Sequence, residues 1–392
     1  MRIGIDVRYL SHGLTGGVHT YVAQLVPALL AQTAGHELVL YADTKRPFEL
    51  RGLPPWARLE LLPYGGAASS LRHDLFTLRR AAARDALDVM HFPANYGFAP
   101  AGVRSIVTLH DAINLLPLRE IVRGHRKDAR TIAMMTYLHL CSTAALRQAD
   151  LVLTVSEHAR REIARVGRTS LARIVAVPHA PTPDLRRVDD RASLDAVRAR
   201  YGLERPFVLA DGLKNPALLG RAWPLLPAAL RERFRLVFFA RREPPPAARA
   251  AEAAGFAQVL INPPRADLVA LYSMAAAFAF PSWIEGFGIP LLEAMTCGAP
   301  VVASDRGAIP EVVGDAGLLA DAEDERAFAA HLVTLLGDET MADALRQRGY
   351  RRAAQFSWEA TARRTLEGYA QVVHTPHTAH APLASGGRIR NR

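Results

Sequence analysis

An apolar run followed by a glycine-flanked loop constrains the fold of this chain more than any other stretch. Residues 275–280 are apolar without polar alternation, which is typical of a parallel strand buried on both faces. Gly286 and Gly288 then allow a tight backbone path. Pro290 suits the first turn of a short helix, and Gly298 marks its end. This order places free N–H groups and the positive end of a helix dipole at the carboxyl edge of a sheet, where open α/β folds bind ligands.

Two glutamates flank this loop, Glu285 inside it and Glu293 in the following helix. An ionised carboxylate only accepts hydrogen bonds, so a pair beside an anion-binding backbone suits the hydroxyl groups of a ribose or a hexose. The alternative is structural, with Glu293 a solvated helix residue and Glu285 a helix-capping acid. The apolar neighbours of Glu285, namely Trp283, Ile284 and Phe287, favour ligand binding.

The same stretch resembles the Glu-x7-Glu motif of retaining glycosyltransferases with the GT-B fold, specifically the large bacterial family 4. The resemblance begins at residue 280, continues through residues 297–304 and 307–314, and covers about thirty-five consecutive positions. It implies that Glu285 contacts the donor sugar or supports the reacting centre, and that Glu293 holds the ribose. It also implies donor contacts from the backbone around the helix start, at Gly286, Phe287, Gly288 and Ile289.

Alternating strand and helix patterns run through the rest of the chain. Buried strands are predicted at residues 3–7, 37–41, 59–62, 88–92, 105–111, 150–156, 174–177, 207–210, 235–240 and 258–262. After residue 301 the pattern finishes with helices, at about 325–336, 341–355 and 357–373. The alternation predicts an α/β fold with doubly wound parallel sheets. With the resemblance, the predicted fold class is two Rossmann-like doubly wound domains facing across a cleft.

Predicted domain boundaries follow from where the periodicity stops and restarts. An N-terminal, acceptor-side domain is predicted over residues 1–180 and a C-terminal domain that binds a nucleotide sugar over residues 206–356. Residues 181–205, rich in Pro, Asp and Arg, form a linker. The resemblance implies that the last helix, residues 357–373, crosses back to the first domain. Residues 374–392 have little apolar content and are expected to form a disordered basic tail.

A glycine pair lies between the first strand and the first long helix. Gly16 and Gly17 precede a helix predicted over residues 18–31, and a strand, two glycines and a helix form a geometry in which backbone can approach a phosphate. By itself the pair could equally be a simple turn. Family 4 enzymes carry a Gly-Gly pair here that closes over the donor phosphates or the acceptor, so the resemblance implies the same contacts for Gly16 and Gly17.

A histidine ends one of the predicted strands. His110 precedes Asp111, and an imidazole beside a carboxylate can donate, accept or change its charge near neutral pH. Its ring could instead satisfy a loop carbonyl. Residues 107–111 resemble the family's histidine–aspartate motif, which implies that His110 lies against the donor sugar and affects the reaction. His91, a second strand-end histidine, is predicted to line the same site.

The loop that opens the second domain departs from the family pattern. Relatives carry an arginine and a lysine there that neutralise the donor diphosphate. Lys214 matches the lysine, but Asp211 stands near the place of the arginine. A carboxylate in contact with a diphosphate is unfavourable by roughly 1 to 4 kcal/mol, depending on the local dielectric. Either Asp211 points away or donor binding is altered. Arg241 or Arg242 could supply a phosphate contact, although both could also be solvated loop residues.

Composition argues against several other classes of protein. The formal net charge is +10, but arginine is dispersed and no basic stripe with interleaved aromatic residues is present, which argues against a nucleic-acid partner. Two cysteines suggest neither a disulfide framework nor a zinc site. No window is apolar enough to span a bilayer, and the first residues have the pattern of a strand rather than a signal peptide. A cytoplasmic protein is therefore predicted.

One basic segment suggests a membrane partner. Its basic side chains are Arg119, Arg123, His125, Arg126, Lys127 and Arg130. The leading interpretation is a solvated helix face. The alternative is peripheral contact with anionic lipid at the inner face of the membrane, where each basic residue adds about 1 kcal/mol.

The function predicted from these features is transfer of a sugar from a nucleotide diphosphate sugar to a sugar or lipid-linked acceptor, in polysaccharide, glycolipid or glycoconjugate synthesis. The resemblance implies a retaining reaction without a cofactor, in which His110 and Glu285 are the catalytic residues and a donor phosphate oxygen takes the acceptor proton. No metal is expected, because the chain contains no Asp-x-Asp triplet. Alternatives are a nucleotide-sugar-binding or scaffold protein without turnover, and a sugar-nucleotide epimerase or phosphorylase on the same fold.

Overall fold

The structure is a computed structural model that describes residues 1–12, 16–46, 50, 52–123 and 128–375. The described residues form thirteen strands: β1 Arg2–Asp6, β2 Glu37–Asp43, β3 Ala57–Leu62, β4 Val89–Phe92, β5 Arg104–Leu109, β6 Leu151–Thr154, β7 Ile174–Ala176, β8 Phe207–Asp211, β9 Arg235–Ala240, β10 Ala257–Ile261, β11 Ala277–Phe280, β12 Val301–Ser304 and β13 Gly317–Ala320.

The same residues form seventeen α-helices: α1 Arg8–Ser11, α2 Gly17–Leu30, α3 Ala67–Arg72, α4 Leu78–Arg84, α5 Leu118–Arg123, α6 Ala129–Gln148, α7 Glu157–Gly167, α8 Arg191–Tyr201, α9 Pro216–Ala222, α10 Ala228–Arg233, α11 Pro246–Ala253, α12 Arg265–Met274, α13 Ile289–Thr296, α14 Ile309–Val313, α15 Glu325–Gly337, α16 Glu339–Ala353 and α17 Trp358–His374. A π-helical segment, His73–Thr77, joins α3 to α4.

Both sheets are parallel and doubly wound. Within the described residues the first sheet has the order β3-β2-β1-β4-β5-β6-β7 and the second the order β10-β9-β8-β11-β12-β13. β4, β6, β11 and β12 are buried along their whole length, as expected for apolar strands covered by helices on both faces. The predicted fold class, two Rossmann-like doubly wound α/β domains facing across a cleft, is confirmed.

Two strands of the second sheet, β12 and β13, were not predicted from the sequence. β12 and β13 extend the second sheet beyond β11, and Val301 pairs with Phe278 on one side and Gly317 on the other. Four residues are too few to show a clear period in the sequence. Pairing with an existing strand therefore decides their conformation, as tertiary context commonly does for short strands.

The order of the second sheet brings two loops together. The strand order reverses between β8 and β11, and the crevice beyond the carboxyl ends of the strands at such a reversal is the usual ligand site of open α/β sheets. β8 ends at Asp211 and β11 at Phe280, and the two strands are paired. The loops at residues 212–215 and 281–288 therefore leave the sheet side by side.

The last helix packs on the domain that contains the first sheet. α17 contacts α2, and the Trp358 indole N–H donates a hydrogen bond to the Pro181 carbonyl at 2.9 Å. The Thr361 hydroxyl donates to the Pro178 carbonyl at 2.7 Å. The domain boundaries derived from the sequence stay predictions.

Two predicted segments fall partly outside the described residues. These are the tail from residue 376 onward and residues 124–127 of the basic segment. In the part of the chain that the structure describes, no helix is long and apolar enough to cross a membrane.

Candidate active site

A cavity of about 290 Å³ lies between the carboxyl edges of the two sheets. It is lined by Gly17, Val18, Thr20, His110, Asp111, Val155, His179, Asp211, Lys214, Arg241, Glu285, Gly286, Phe287, Gly288, Ile289, Pro290 and Glu293. The structure therefore brings together the candidate residues of the sequence prediction with three exceptions, Gly16, His91 and Arg242, which do not line this cavity. Their roles stay predictions.

The loop before α13 packs closely against the first domain. A Cβ atom on Gly286 would lie 2.4 Å from the His110 carbonyl oxygen, closer than real Cβ contacts. The Ser156 hydroxyl donates a hydrogen bond to the Gly286 carbonyl at 2.7 Å. Gly288 precedes α13 with φ of +105°, a conformation that favours glycine. Glycine at these positions thus permits both the approach of the two domains and the turn into α13.

Glu285 forms an ion pair inside the cavity. Its Oε1 lies 2.7 Å from the Lys214 Nζ and accepts a hydrogen bond from the Ser282 hydroxyl at 2.7 Å. No side chain caps α13, so the alternative role of Glu285 as a helix-capping acid is wrong. Lys214, the cation expected to bind the diphosphate, therefore lies directly beside Glu285, the carboxylate expected to face the sugar.

Asp211 lines the cavity rather than pointing away from it. Its carboxylate accepts a hydrogen bond from the Leu213 N–H at 2.9 Å. Burial raises the pKa of Asp211, and the negative charge of Glu285 adds to this rise, whereas the positive charges of Lys214 and Arg241 oppose it. Arg241 lines the same cavity and Arg242 is not among the lining residues, so of the two candidate arginines the structure places only Arg241 at the site.

His110 both satisfies a loop carbonyl and lines the cavity. Its Nε2 lies 2.9 Å from the Pro93 carbonyl oxygen, which can only accept, so this nitrogen carries the proton. Burial lowers the pKa of His110 to about 4, and the ring is neutral near pH 7. Its Nδ1 is therefore left as a hydrogen-bond acceptor, which suits a ligand hydroxyl.

His91 does not line the cavity, and that prediction is wrong. Its ring is fully buried, with Nδ1 2.7 Å from the Tyr369 hydroxyl and Nε2 2.7 Å from the Thr108 hydroxyl. Desolvation lowers its pKa to about 3. His91 does lie near the end of a strand, but its side chain points toward α17 and away from the cavity.

Glu293 is buried and paired, so its alternative role as a solvated helix residue is wrong. It accepts a hydrogen bond from Arg265 Nη2 at 2.7 Å, and the same nitrogen lies 3.1 Å from the Thr182 hydroxyl. The sequence analysis did not identify Arg265 as a candidate. Its position directly after β10, at the same sheet edge as Lys214, is the signal that could have identified it.

Two further residues were missed from the sequence. Asn215 donates from its side chain to the carbonyls of Pro281 and Ala322, at 3.1 and 2.9 Å, and so fixes the loop of Lys214 against the loop of Glu285. Glu311 accepts from the N–H groups of residues 157 and 158 at 2.8 and 3.0 Å, which places a carboxylate of the second domain at the N-terminus of α7.

Comparison with known proteins identifies two family matches. Residues 15–184 match the family described as Glycosyltransferase Family 4, and residues 209–338 match the family described as Glycosyl transferases group 1. The chain is 34% identical over 297 residues to the O-antigen chain mannosyltransferase B of Escherichia coli, which covers 74% of this chain and 76% of that protein.

Solved structures share the fold over nearly the whole chain. A sucrose-phosphate synthase from Thermosynechococcus elongatus superposes with a TM-score of 0.71 at 21% identity, covering 95% of this chain and 98% of that one. HepE from Anabaena in complex with UDP-glucose superposes with a TM-score of 0.66 at 14% identity, covering 95% of this chain and 100% of that one.

Proposed function

Because this chain belongs to the family 4 glycosyltransferases, we propose that it transfers a mannosyl residue from a nucleotide diphosphate sugar to a hydroxyl of a growing polysaccharide or lipid-linked acceptor. The mannosyltransferase relative supports the choice of sugar and the polysaccharide acceptor. One observation carries the proposal. A single cavity joins His110 of the first domain to Lys214, Glu285 and Glu293 of the second.

The proposed reaction retains the anomeric configuration. The acceptor hydroxyl oxygen attacks the anomeric carbon on the face from which the diphosphate leaves, and the bond from that carbon to the diphosphate oxygen breaks. The acceptor proton moves to a diphosphate oxygen, and the nucleoside diphosphate departs. Lys214 and the N-terminus of α13 stabilise the leaving charge, while Glu285 supports the positive charge that develops on the sugar. The neutral His110 accepts a hydrogen bond from a sugar hydroxyl.

Metal independence and the absence of a cofactor are part of this proposal. Two protein cations, Lys214 and Arg241, line the cavity where the diphosphate would lie. The lack of an Asp-x-Asp triplet in the sequence supports the same conclusion.

A panel of nucleotide sugars in a thermal-shift assay tests the function. Ligand at one hundred times its Kd stabilises the folded protein by about 2.7 kcal/mol, whatever the acceptor is. We expect a mannose-bearing nucleotide sugar to raise the Tm more than the corresponding glucose compound. A folded protein whose Tm responds to no GDP-, UDP- or ADP-sugar would contradict the proposal.

We expect Asp211→Asn to raise the Tm at neutral pH and to tighten nucleotide-sugar binding by roughly three- to ten-fold, since it removes a negative charge beside the diphosphate. Burial raises the pKa of Asp211, so the folded protein retains this proton to a higher pH than the unfolded chain does. Between the pKa of the unfolded chain and that of the folded protein, the free energy of unfolding of the wild type falls as the pH rises. It stays lower above the raised pKa. The asparagine side chain cannot ionise, so the variant does not lose this stability.

Titration calorimetry and thermal melts from the ordinary pKa of an aspartate, about 4, up to about pH 8 measure both effects. In the wild type, nucleotide-sugar affinity should fall as Asp211 deprotonates, whereas the variant should show a smaller dependence. Equal affinities and equal pH dependence in the two proteins would mean that Asp211 does not face the diphosphate.

We also propose peripheral contact with an anionic membrane through one helical face. Leu71, Leu75 and Phe76 are 48%, 41% and 56% exposed on α3 and the π segment. Arg72, Arg79 and Arg80 are also exposed, and with the apolar residues they recur every three or four positions, as on one face of a helix. No carboxylate among the described residues pairs with these arginines. Apolar side chains beside unpaired cations complement anionic lipid. This face adds to the basic segment at residues 119–130, of which residues 124–127 lie outside the described residues.

Liposome flotation tests the membrane contact. Wild type should float with phosphatidylglycerol vesicles and not with phosphatidylcholine vesicles, and the double substitution Leu75→Glu and Phe76→Glu should abolish flotation. Leu225→Glu, at an equally exposed leucine of the second domain, is the matched control and should still float. Wild type that shows no preference for anionic lipid would contradict the proposal.

A further inference from the structure

A buried histidine lies at the point where the chain leaves the first domain. His179 follows Pro178 and is 3% exposed. Its ring packs beside two aromatic rings, with centroid distances of 4.7 Å to Tyr21 on α2 and 5.8 Å to Trp358 on α17, and these two rings lie 6.2 Å from each other. Contacts with both rings fix the plane of the imidazole.

His179 also borders the cavity. His179 is among the lining residues, with its centroid 5.6 Å from that of His110 and 5.3 Å from that of Phe287. His110 belongs to the first domain, and Phe287 belongs to the loop before α13 in the second. The ring therefore lies where the two halves of the candidate site meet.

Neither ring nitrogen of His179 has a hydrogen-bond partner among the described residues. A buried polar atom without a partner costs free energy, so a role in packing alone would be performed at least as well by a phenyl ring. Burial lowers the pKa of His179 well below its usual range, which keeps the ring neutral with one N–H donor and one acceptor nitrogen. Such a group complements the oxygen atoms of a diphosphate or a sugar.

We propose that His179 binds the nucleotide sugar directly, with its ring N–H donating a hydrogen bond to an oxygen of the diphosphate or of the transferred sugar. The proposal rests on the proposed function. It assigns substrate binding to a residue that the sequence analysis did not identify as a candidate.

His179→Phe keeps an aromatic ring beside Tyr21 and Trp358 and removes both nitrogens. We expect its Kd for the nucleotide sugar to rise by roughly ten-fold or more, as for loss of a hydrogen bond to a polar or charged ligand group. The Tm without ligand should stay equal or rise, because the phenyl ring leaves no buried polar atom without a partner. Titration calorimetry with the nucleotide sugar and with the nucleoside diphosphate separates the two partners. Weaker binding of both indicates the diphosphate, and weaker binding of the nucleotide sugar alone indicates the sugar.

Two other variants complete the test. His73→Phe, at a fully buried histidine that does not line the cavity, should keep the wild-type Kd. His179→Asn restores a side-chain N–H at shorter reach, and we expect its affinity to lie between wild type and His179→Phe. It also replaces the phenylalanine variant if that protein does not fold. Wild-type affinity in a folded variant lacking the imidazole would overturn this inference. Wild type that binds no nucleotide sugar would instead overturn the proposed function.

Discussion

Glu285→Gln should lower kcat by roughly 100- to 1000-fold, the usual loss when one preorganised electrostatic group is removed from an active site. Glutamine has nearly the same shape and its amide oxygen can still accept the hydrogen bond from Ser282, so the loop should keep its conformation. The lost negative charge is the one that we propose supports positive charge on the sugar. Nucleotide-sugar binding should change little or tighten, because the diphosphate no longer competes with Glu285 for Lys214.

Single-turnover transfer, together with nucleotide-sugar hydrolysis in the absence of acceptor, measures this effect. The matched control is Glu339→Gln, because Glu339 has a side chain that is 92% exposed on α16, remote from the cavity. It should retain wild-type rates. Wild-type kcat in Glu285→Gln would show that Glu285 has no catalytic role in this chain.

Lys214→Met should raise the Kd for the nucleoside diphosphate by roughly 10- to 100-fold, as expected for a lost hydrogen bond between charged groups. It should also lower kcat/KM, because in the proposed reaction the same cation stabilises the diphosphate as it leaves. Lys214→Arg keeps the charge and should lose much less. Calorimetry with the diphosphate and steady-state transfer give the two quantities.

Lysine is rare in this chain, and Lys45 provides a control outside the cavity. Lys45 lies over the Tyr64 ring, and Lys45→Met should leave diphosphate binding unchanged. In the double variant Lys214→Met with Glu285→Gln, the losses should not add, because the two side chains form one ion pair. Unchanged affinity in Lys214→Met would assign the diphosphate contact to Arg241 or to the backbone.

Much of the site was predictable because it depends on short-range patterns. The strand, loop and helix that hold Glu285 and Glu293 follow from apolar runs and glycine placement within about twenty residues. Lys214 and His110 both follow strands whose carboxyl ends could be assigned from the sequence. Prediction failed for His91 because a strand end alone does not decide which face a side chain takes. It failed for β12 and β13 because four residues carry no clear period.

Charge pairing could not be predicted in the same way. Lys214 meets Glu285 only because β8 pairs with β11, and that order is a property of the sheet. Arg265 reaches Glu293 because α12 and α13 begin at the same edge of the sheet. Each predicted donor-binding acid therefore already has a cationic partner. A diphosphate that binds Lys214 must compete with Glu285 for that cation.

The sequence by itself determined the α/β class, the family and most of the residues around the cavity, because these depend on local periodicity and on spacing within one motif. Only the tertiary structure decided that Asp211 faces the cavity, that Arg241 rather than Arg242 lines it, and that His179 lines it too. These placements depend on strand order and on the return of α17, which join residues far apart in the chain.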